Sequence, residues 1–374
     1  MSKHPPIPVR NIYYLLAYAF DLPEGERFDV DPTSCPDAKN LLALLLARSI
    51  RNLAKRGFER NYHSFEEESA RVRGRILLAE SYRHMLPQQG RMRFCYDELD
   101  PNCLTNQILR STCDRLLRGW LKSFVKQELR QAQALLVEVQ ATRLTASSFA
   151  RVRFHRNNRR YRFPIALCRL LFLGDMATES AGDIRHLEAI FSKRSMPMIF
   201  ERFVRNFARA HIRNANKISD MYIEWQGTYD ASPTGLVPKM ITDVSIDHPD
   251  WKMILDCKFY RKALLRNRKG TKRFRSGHLY QLTSYLRNKS VDAGWETATG
   301  ALLYPAVEEG VNEQFKLNGH PIHVLSIDLD QPWRNIARDL KALFKLHAQN
   351  GEERMRFPEE NVDHAKLART AHDL

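Results

Sequence analysis

The sequence is defined first by what is missing from it. No apolar run approaches the roughly 20 residues that cross a bilayer, and the opening MSKHPPIPVR has no apolar core of a secretory leader. The expected compartment is the cytoplasm, with no membrane partner. Cysteine is scarce and scattered: Cys35, Cys95, Cys103, Cys113, Cys168 and Cys257 form no CxxC and no Cys/His cluster, which argues against a structural zinc and against a disulfide framework. No internal repeat or low-complexity tract interrupts the 374 residues, and a hydrophobic content of 43% supplies cores for two or three domains. Acidic charge is the remaining deficit, since 43 Asp and Glu face 59 Lys and Arg, a formal net charge of +16. That excess favours a polyanionic partner, nucleic acid first among the choices, although a basic chain is also simply a soluble one.

Residues 238–260, PKMITDVSIDHPDWKMILDCKFY, organise the rest of the chain. Residues 240–246 and 252–260 are rich in Ile, Val, Met, Leu, Phe and Tyr, and Asp247, His248, Pro249 and Asp250 between them have turn chemistry, so the stretch is expected to be a hairpin. Period-2 geometry projects Asp256 and Lys258 from one face of the second strand and Cys257 from the other, with Asp243 arriving from the first strand. Two carboxylates and a lysine gathered on a sheet suit phosphodiester hydrolysis: the acids hold one or two hard cations, and the lysine positions water or offsets developing charge. The pattern resembles the core of the PD-(D/E)xK nuclease superfamily, with Thr242 where that name puts proline. Alone, D-x-K is weak evidence, because any solvated edge strand carries such pairs.

Three further features stand in the right order. Residues 277–288 read as a helix with Gln281 and Tyr285 four apart on one face, similar to the Q-x-x-x-Y helix of the RecB-like branch, and Glu201 lies on an amphipathic helix upstream, over about 196–216. Each has an ordinary reading as a helix-surface residue; the order is what adds weight. Strands are expected over 218–225, 300–305 and 322–329, and a helix over 332–348. Between the hairpin and the Gln281 helix, residues 261–277 carry Arg261, Lys262, Arg266, Arg268, Lys269, Lys272, Arg273 and Arg275, a loop that either orders on DNA or is merely solvated.

Upstream, helices are expected over 7–21, packed into the first domain, over 40–56 with Gly57 as C-cap, and over 104–135 as one long element with Trp120 on its apolar face. Residues 62–76 look extended, with a basic turn of Arg71, Arg73, Gly74 and Arg75, and residues 93–100 alternate like a strand. Arginines and aromatics interleave over 150–163, ARVRFHRNNRRYRF, a composition that suits nucleic acid or an acidic protein equally. A Gly-, Ser- and Asp-containing loop over 174–185 offers the best domain boundary.

Taken together, IPVRNIYYLLAYAF, the Arg-Gly-Arg-Ile of residues 73–76, CYDELDPNCLTNQILRST, NNRRYRF, TDVSI, ILDCKFY and LYQLTSYL resemble the McrC family, the nuclease subunits of McrBC 5-methylcytosine-dependent restriction systems, over residues 7–348. The resemblance implies an α+β N-terminal region (1–180) that engages a McrB-type AAA+ GTPase ring and an α/β PD-(D/E)xK endonuclease-like domain (181–350), a mixed central sheet flanked by helices. A polar tail (351–374) follows. It further implies double-stranded DNA as substrate, Mg2+ held by Asp243 and Asp256 with the Cys257 backbone carbonyl as a third ligand, and Lys258 as catalytic lysine. Glu201, Gln281 and Tyr285 enter on the wider RecB-like pattern. GTP is used by the partner, not by this chain. Arg71, Arg73 and Arg75, or Asn157, Asn158, Arg159 and Arg160, are candidates for stimulating GTP hydrolysis. Two other readings remain: a non-catalytic adaptor that clamps DNA and activates the ring, and a stand-alone repair nuclease.

Overall fold

The computed structural model describes residues 7–22, 35, 37–181, 195–227, 238–260, 264–266, 272–306 and 310–345. Helix α1 is Val9–Ala19, and α2 is Ala38–Arg56. The Asp37 side chain caps α2 by accepting the Asn40 N–H at 2.8 Å, and Gly57, at φ 82°, ends the helix as its composition predicts. The chain then forms β1 (Asn61–Ser69), β2 (Arg75–Ile76), α3 (Leu78–Arg83) and β3 (Met92–Asp100). These strands make a three-stranded antiparallel sheet in the order β1-β3-β2. Gly74 is required at the basic turn before β2: it sits at φ 72°, and a Cβ there would lie 2.8 Å from Tyr96 Cβ. Nearly every residue of β1 is exposed, so this sheet stands out from the body.

The expected long helix over 104–135 divides into α4 (Leu104–Arg118) and α5 (Ser123–Ala134). Gly119 is extended, and the Lys122 N–H that a continuous helix would have kept is taken by Asn40 Oδ1 at 2.9 Å. Trp120, expected on the apolar face, is 65% exposed at this break. A short α6 (Ala146–Ala150) follows, and α7 (Arg162–Ala181) continues through the residues expected to open a loop at 174; residues 182–194 lie outside the described structure.

The motif residues of this half meet in one buried node. Asn106, fully buried, donates to the carbonyls of Glu59 (2.9 Å) and Pro101 (2.7 Å), while the Tyr161 hydroxyl donates to Asn106 Oδ1 (2.7 Å) and accepts the Glu59 N–H (2.7 Å). Thr105 Oγ1 and Asn158 Nδ2 hold the two Glu59 carboxylate oxygens at 2.6 and 2.9 Å. The node ties the base of β1 to α4 and α7. Tyr161→Phe leaves a buried amide oxygen and a backbone N–H without partners, so we expect it to cost about 1–3 kcal/mol of unfolding free energy, measured by denaturant titration at constant m-value.

The second half contains α8 (Ser195–His211), β4 (Lys217–Ser219), β5 (Tyr222–Ile223), β6 (Met240–Ile241), β7 (Val244–Asp247), β8 (Lys252–Cys257), β9 (Leu264–Arg266) and β10 (Lys272–Phe274). It closes with α9 (Ser276–Lys289), β11 (Thr299–Ala306), β12 (Asn312–Leu317), β13 (His320–Asp328) and α10 (Trp333–Lys345). A six-stranded mixed sheet runs β12-β13-β11-β8-β7-β4, with β8, β11 and β13 parallel and the remaining pairs antiparallel. This is an α/β layer. Alternation along β8 sends Met253, Leu255 and Cys257 into the core under α8 and α10, and Ile254 into a smaller cluster under α9 with Leu282, Leu286, Leu302 and Ile322. Gly300 on β11 lets α9 approach: a Cβ there would lie 2.7 Å from Leu286 Cδ1.

Several expectations need correction. The first hairpin strand is not continuous over 240–246: it breaks at Thr242 and Asp243, so that β6 pairs with β5 while β7 pairs with β4 and β8. The strand over 218–225 is likewise two pieces, and β12, a polar edge strand, was not anticipated. Residues 264–266 and 272–274 of the expected loop pair as an antiparallel hairpin. Helix α1 packs on α8, and Asn11 Nδ2 donates to the carbonyls of Leu329 (2.7 Å) and Gln331 (2.8 Å), so the first helix completes the second half of the molecule.

Candidate active site

The end of β8 and the face of α9 build the site. Asp256, 1% exposed, places Oδ2 2.7 Å from Lys258 Nζ. Lys258 follows the last residue of β8, kept in register by its N–H to the Leu303 carbonyl (2.8 Å). Its ammonium donates to Gln281 Oε1 at 2.8 Å; Gln281 Nε2 donates to the Tyr285 hydroxyl at 2.7 Å, and that hydroxyl donates to the Ile241 carbonyl at 2.9 Å. The i,i+4 pair on α9 thus spans from the lysine to the end of β6. Gln281 is a fixed acceptor for Lys258, and Tyr285, buried, fixes Gln281.

Asp243 stands at the β6–β7 break. Its Oδ2 accepts the Cys257 N–H at 2.7 Å and its carbonyl accepts Arg205 Nε at 2.9 Å. Cys257, the last residue of β8, has a buried thiol whose pKa burial and the neighbouring carboxylates push well up, so that thiol is inert. Glu201, one turn before Arg205 on α8, pairs with that arginine. The sequence candidates Glu201, Asp243, Asp256, Lys258, Gln281 and Tyr285 are therefore brought together from two helices and one hairpin.

Charge in the site is unbalanced. Burial first, then the charges of Asp256 and Glu201, push the Asp243 carboxyl up to about 7. Burial also raises Asp256, against the pull of Lys258, and raises Glu201, against the pull of Arg205. Two carboxyls facing each other in a poorly solvated pocket share a proton when no other cation is present. A divalent ion fits that deficit. The donor set is oxygen, as hard cations require, and Asp256 Oδ2 is a buried acceptor with no hydrogen-bond donor, its contact with Lys258 being close but misaligned. Among the described residues no set of three or more His, Cys, Asp or Glu side chains forms a ready-made metal cluster, so two aspartates and main-chain oxygen are what this pocket offers.

Sequence reasoning missed Arg205 and also the wall beside Lys258. His278 Nδ1 lies 2.7 Å from the Tyr304 hydroxyl, its ring packs 5.0 Å from that of Tyr260, and the Arg275 guanidinium lies 4.9 Å from the Tyr260 ring centroid. Burial, with Lys258 and Arg275 adding to it, pushes His278 down to about 4, so the imidazole is neutral at physiological pH. Its i,i+3 spacing from Gln281 was the available signal.

Of the basic segment, Lys272 and Arg273 are exposed on β10, Arg275 caps α9, and Arg266 lies opposite Lys272 on β9; Arg261, Lys262, Arg268 and Lys269 lie outside the described residues. On the projecting sheet, Arg71 and Arg75 are exposed, and Arg73 lies 3.5 Å over the Tyr96 ring between Glu67 and Glu98. Asn157, Arg159 and Arg160 are exposed, but Asn158 is 3% exposed and spent on Glu59, Arg153 and His155, so it is a structural residue and not a surface one.

Comparison with known proteins matches residues 10–305 to the family described as McrBC 5-methylcytosine restriction system component. The Type IV methyl-directed restriction enzyme EcoKMcrBC of Escherichia coli (strain K12) is 29% identical over 345 residues, covering 91% of this chain and 98% of the relative. A half-complex of Thermococcus gammatolerans McrB AAA+ hexamers with bound McrC shares the fold at a TM-score of 0.53 and 18% identity, over 90% of this chain and 76% of that one. With the family pattern spanning most of its length, this chain belongs to the McrBC 5-methylcytosine restriction system component family.

Proposed function

We propose that this chain is the endonuclease subunit of a GTP-dependent, modification-dependent DNA restriction complex, built on a PD-(D/E)xK-type domain. The observation that carries the reading is the pair of buried carboxylates whose charge is opposed by burial, and at Asp243 also by Asp256, beside a lysine fixed between Asp256 and Gln281. Asp243 and Asp256, with the Cys257 carbonyl, would hold one or two Mg2+. Bound there, the metal supplies Lewis-acid stabilisation of phosphate oxygens and lowers the pKa of water. Lys258 orients the attacking water and offsets negative charge growing on the phosphate. Gln281 and Tyr285 keep the ammonium from swinging to solvent, and Glu201 adds a third carboxylate at the edge. Lys272, Arg273 and Arg275, which lead into the first turn of α9, supply phosphate contacts for double-stranded DNA.

The partner reading rests on the relatives. In Thermococcus gammatolerans McrC is bound to McrB AAA+ hexamers, and we carry that to this chain as binding to an AAA+ GTPase ring that itself uses the GTP. The projecting β1-β3-β2 sheet is the ring-facing candidate, because it exposes Tyr62 (74%) together with Arg71, Arg73 and Arg75, and α3 between its strands exposes Tyr82 (67%). Exposed tyrosines and arginines suit an interface with another protein. Asn157, Arg159 and Arg160 are the second candidate surface. The N-terminal region up to about residue 180 would then serve the ring and the remainder the DNA.

The test is cleavage of methylated and unmethylated plasmid by the full chain with its cognate AAA+ partner, GTP and Mg2+. We expect cutting that needs the partner, GTP and the metal together. Cutting by the isolated chain with Mg2+ alone would favour a stand-alone nuclease, and stimulated GTP hydrolysis with no cutting would favour an adaptor that only clamps DNA.

A further inference from the structure

Two strands break at the same level beside the candidate site. The connection from β4 to β5 passes through Asp220 and Met221, and that from β6 to β7 through Thr242 and Asp243. Regular pairing is lost there and local bonds replace it: the Thr242 N–H donates to the Met221 carbonyl (3.0 Å), the Met221 N–H donates to Thr242 Oγ1 (3.0 Å), and Thr242 Oγ1 meets Ser245 Oγ at 2.7 Å. None of these bonds holds residue 243 itself. Among the described residues a single N–H, from Cys257, steadies its carboxylate.

Arg205 fills that gap. Its side chain, 13% exposed, donates from Nε to the Asp243 carbonyl at 2.9 Å, reaches Asp220 Oδ1 from Nη1 at 3.2 Å, and pairs through Nη2 with Glu201. One planar fork therefore joins α8 to both strand breaks, and every arm of it is used. A guanidinium does this because its donors sit in fixed directions; an ammonium is a point charge and cannot span the same contacts. The consequence reaches the site twice. Fixing the main chain at 243 sets the direction in which the Asp243 carboxylate leaves the backbone. Pairing with Glu201 ties that acid, one turn earlier on α8, to the same guanidinium that holds the Asp243 carbonyl.

We propose that Arg205 is a positioning residue that holds Asp243 in the arrangement a divalent cation requires. The inference rests on the reading of Asp243 and Asp256 as metal-holding acids. Outer groups that orient metal-binding side chains typically change metal affinity or activity by about 10- to 100-fold when removed.

The experiment compares Arg205→Ala, Arg205→Lys and Asp256→Ala in the full chain. Mn2+ binding is titrated directly by the loss of the free-ion spin-resonance signal, and DNA cleavage with the AAA+ partner and GTP is followed against Mg2+ concentration. For Arg205→Ala the expected result is a Mn2+ affinity lower by about 10- to 100-fold and a half-saturating Mg2+ concentration raised in parallel. Stimulation of GTP hydrolysis should stay at the parental level, and Arg205→Lys should fall between the two. Parental Mn2+ affinity and parental Mg2+ dependence in Arg205→Ala, whatever its cleavage rate or melting temperature, would overturn the proposal. If the alanine variant does not fold, the lysine variant decides by the same criterion. Asp256→Ala separates the two levels: loss of Mn2+ binding there with none in the arginine variants overturns the role of Arg205 alone. Parental Mn2+ binding by Asp256→Ala overturns the site reading and the inference with it.

Discussion

Lys258→Ala is expected to slow DNA cleavage by about two to three orders of magnitude, with stimulation of the partner's GTP hydrolysis unchanged. Among the described residues the ammonium is the only positive charge placed directly against Asp256, at 2.7 Å, and it is aimed by Gln281 at 2.8 Å. Removing it takes away a group that stabilises charge in the transition state, and it also leaves Asp256, 1% exposed, without the cation that opposes its burial. Both effects act in the same direction, since a more readily protonated Asp256 is a poorer metal ligand. Lys258→Arg should not rescue the rate. A planar fork does not reproduce a point charge held at one distance from an amide oxygen and a carboxylate. Plasmid cleavage, GTP hydrolysis and thermal melting measured on the same preparations separate a chemical effect from a folding one. Cutting at the parental rate by a folded Lys258→Ala chain would remove Lys258, and with it the site assignment.

The parts of this site that were legible in the sequence are those set by short-range geometry. Two-residue spacing puts Asp256 and Lys258 on one face and Cys257 on the other, and four-residue spacing puts Gln281 above Tyr285; the structure has both. The mixed α/β sheet was expected from the family resemblance, and its strands β8, β11 and β13 are buried along most of their length. What escaped depends on partners far away in the chain. Asn11 anchors α1 to carbonyls more than 300 residues later, and nothing in its own neighbourhood says so. Asn158 sits among exposed arginines in sequence, yet its amide is consumed by Glu59. The break at Thr242 and Asp243 is invisible to a β-propensity reading, since its cause is the side-chain oxygen of Thr242 bonding across to Met221 and the guanidinium of Arg205 holding Asp243. The division of α4 from α5 has a similar origin in Asn40. Polar side chains that replace backbone pairing leave a strand or helix looking continuous in sequence.

The same buried acids make a prediction about stability. Asp243 is held at about 7 in the folded chain against an ordinary value of 3.8, so between those two values the folded state keeps a proton that the unfolded state has lost. Stability then falls as pH rises through that window, and the loss is complete above the folded value. Asp243→Asn cannot ionise but keeps an amide oxygen for the Cys257 N–H, so it removes the charge while preserving that contact. His278, held down at about 4 against an ordinary 6.5, adds the opposite slope between those two values, so the effect of Asp243 is read as a difference. In chelator, the parental chain should lose a few kcal/mol of unfolding free energy relative to the asparagine variant between about pH 4 and about pH 7. The two should be nearly equal at the lower end, and the asparagine variant should be the more stable of the two at the upper end. Mg2+ should restore the parental chain there and leave the variant unmoved, because a cation that binds only the folded, ionised pair stabilises by mass action. Thermal and denaturant unfolding at several pH values, with chelator or with Mg2+, gives all four curves. A parental-minus-variant difference that stays constant with pH in chelator would mean that the aspartates do not hold a shared proton, and that the charge deficit on which the metal reading rests is absent.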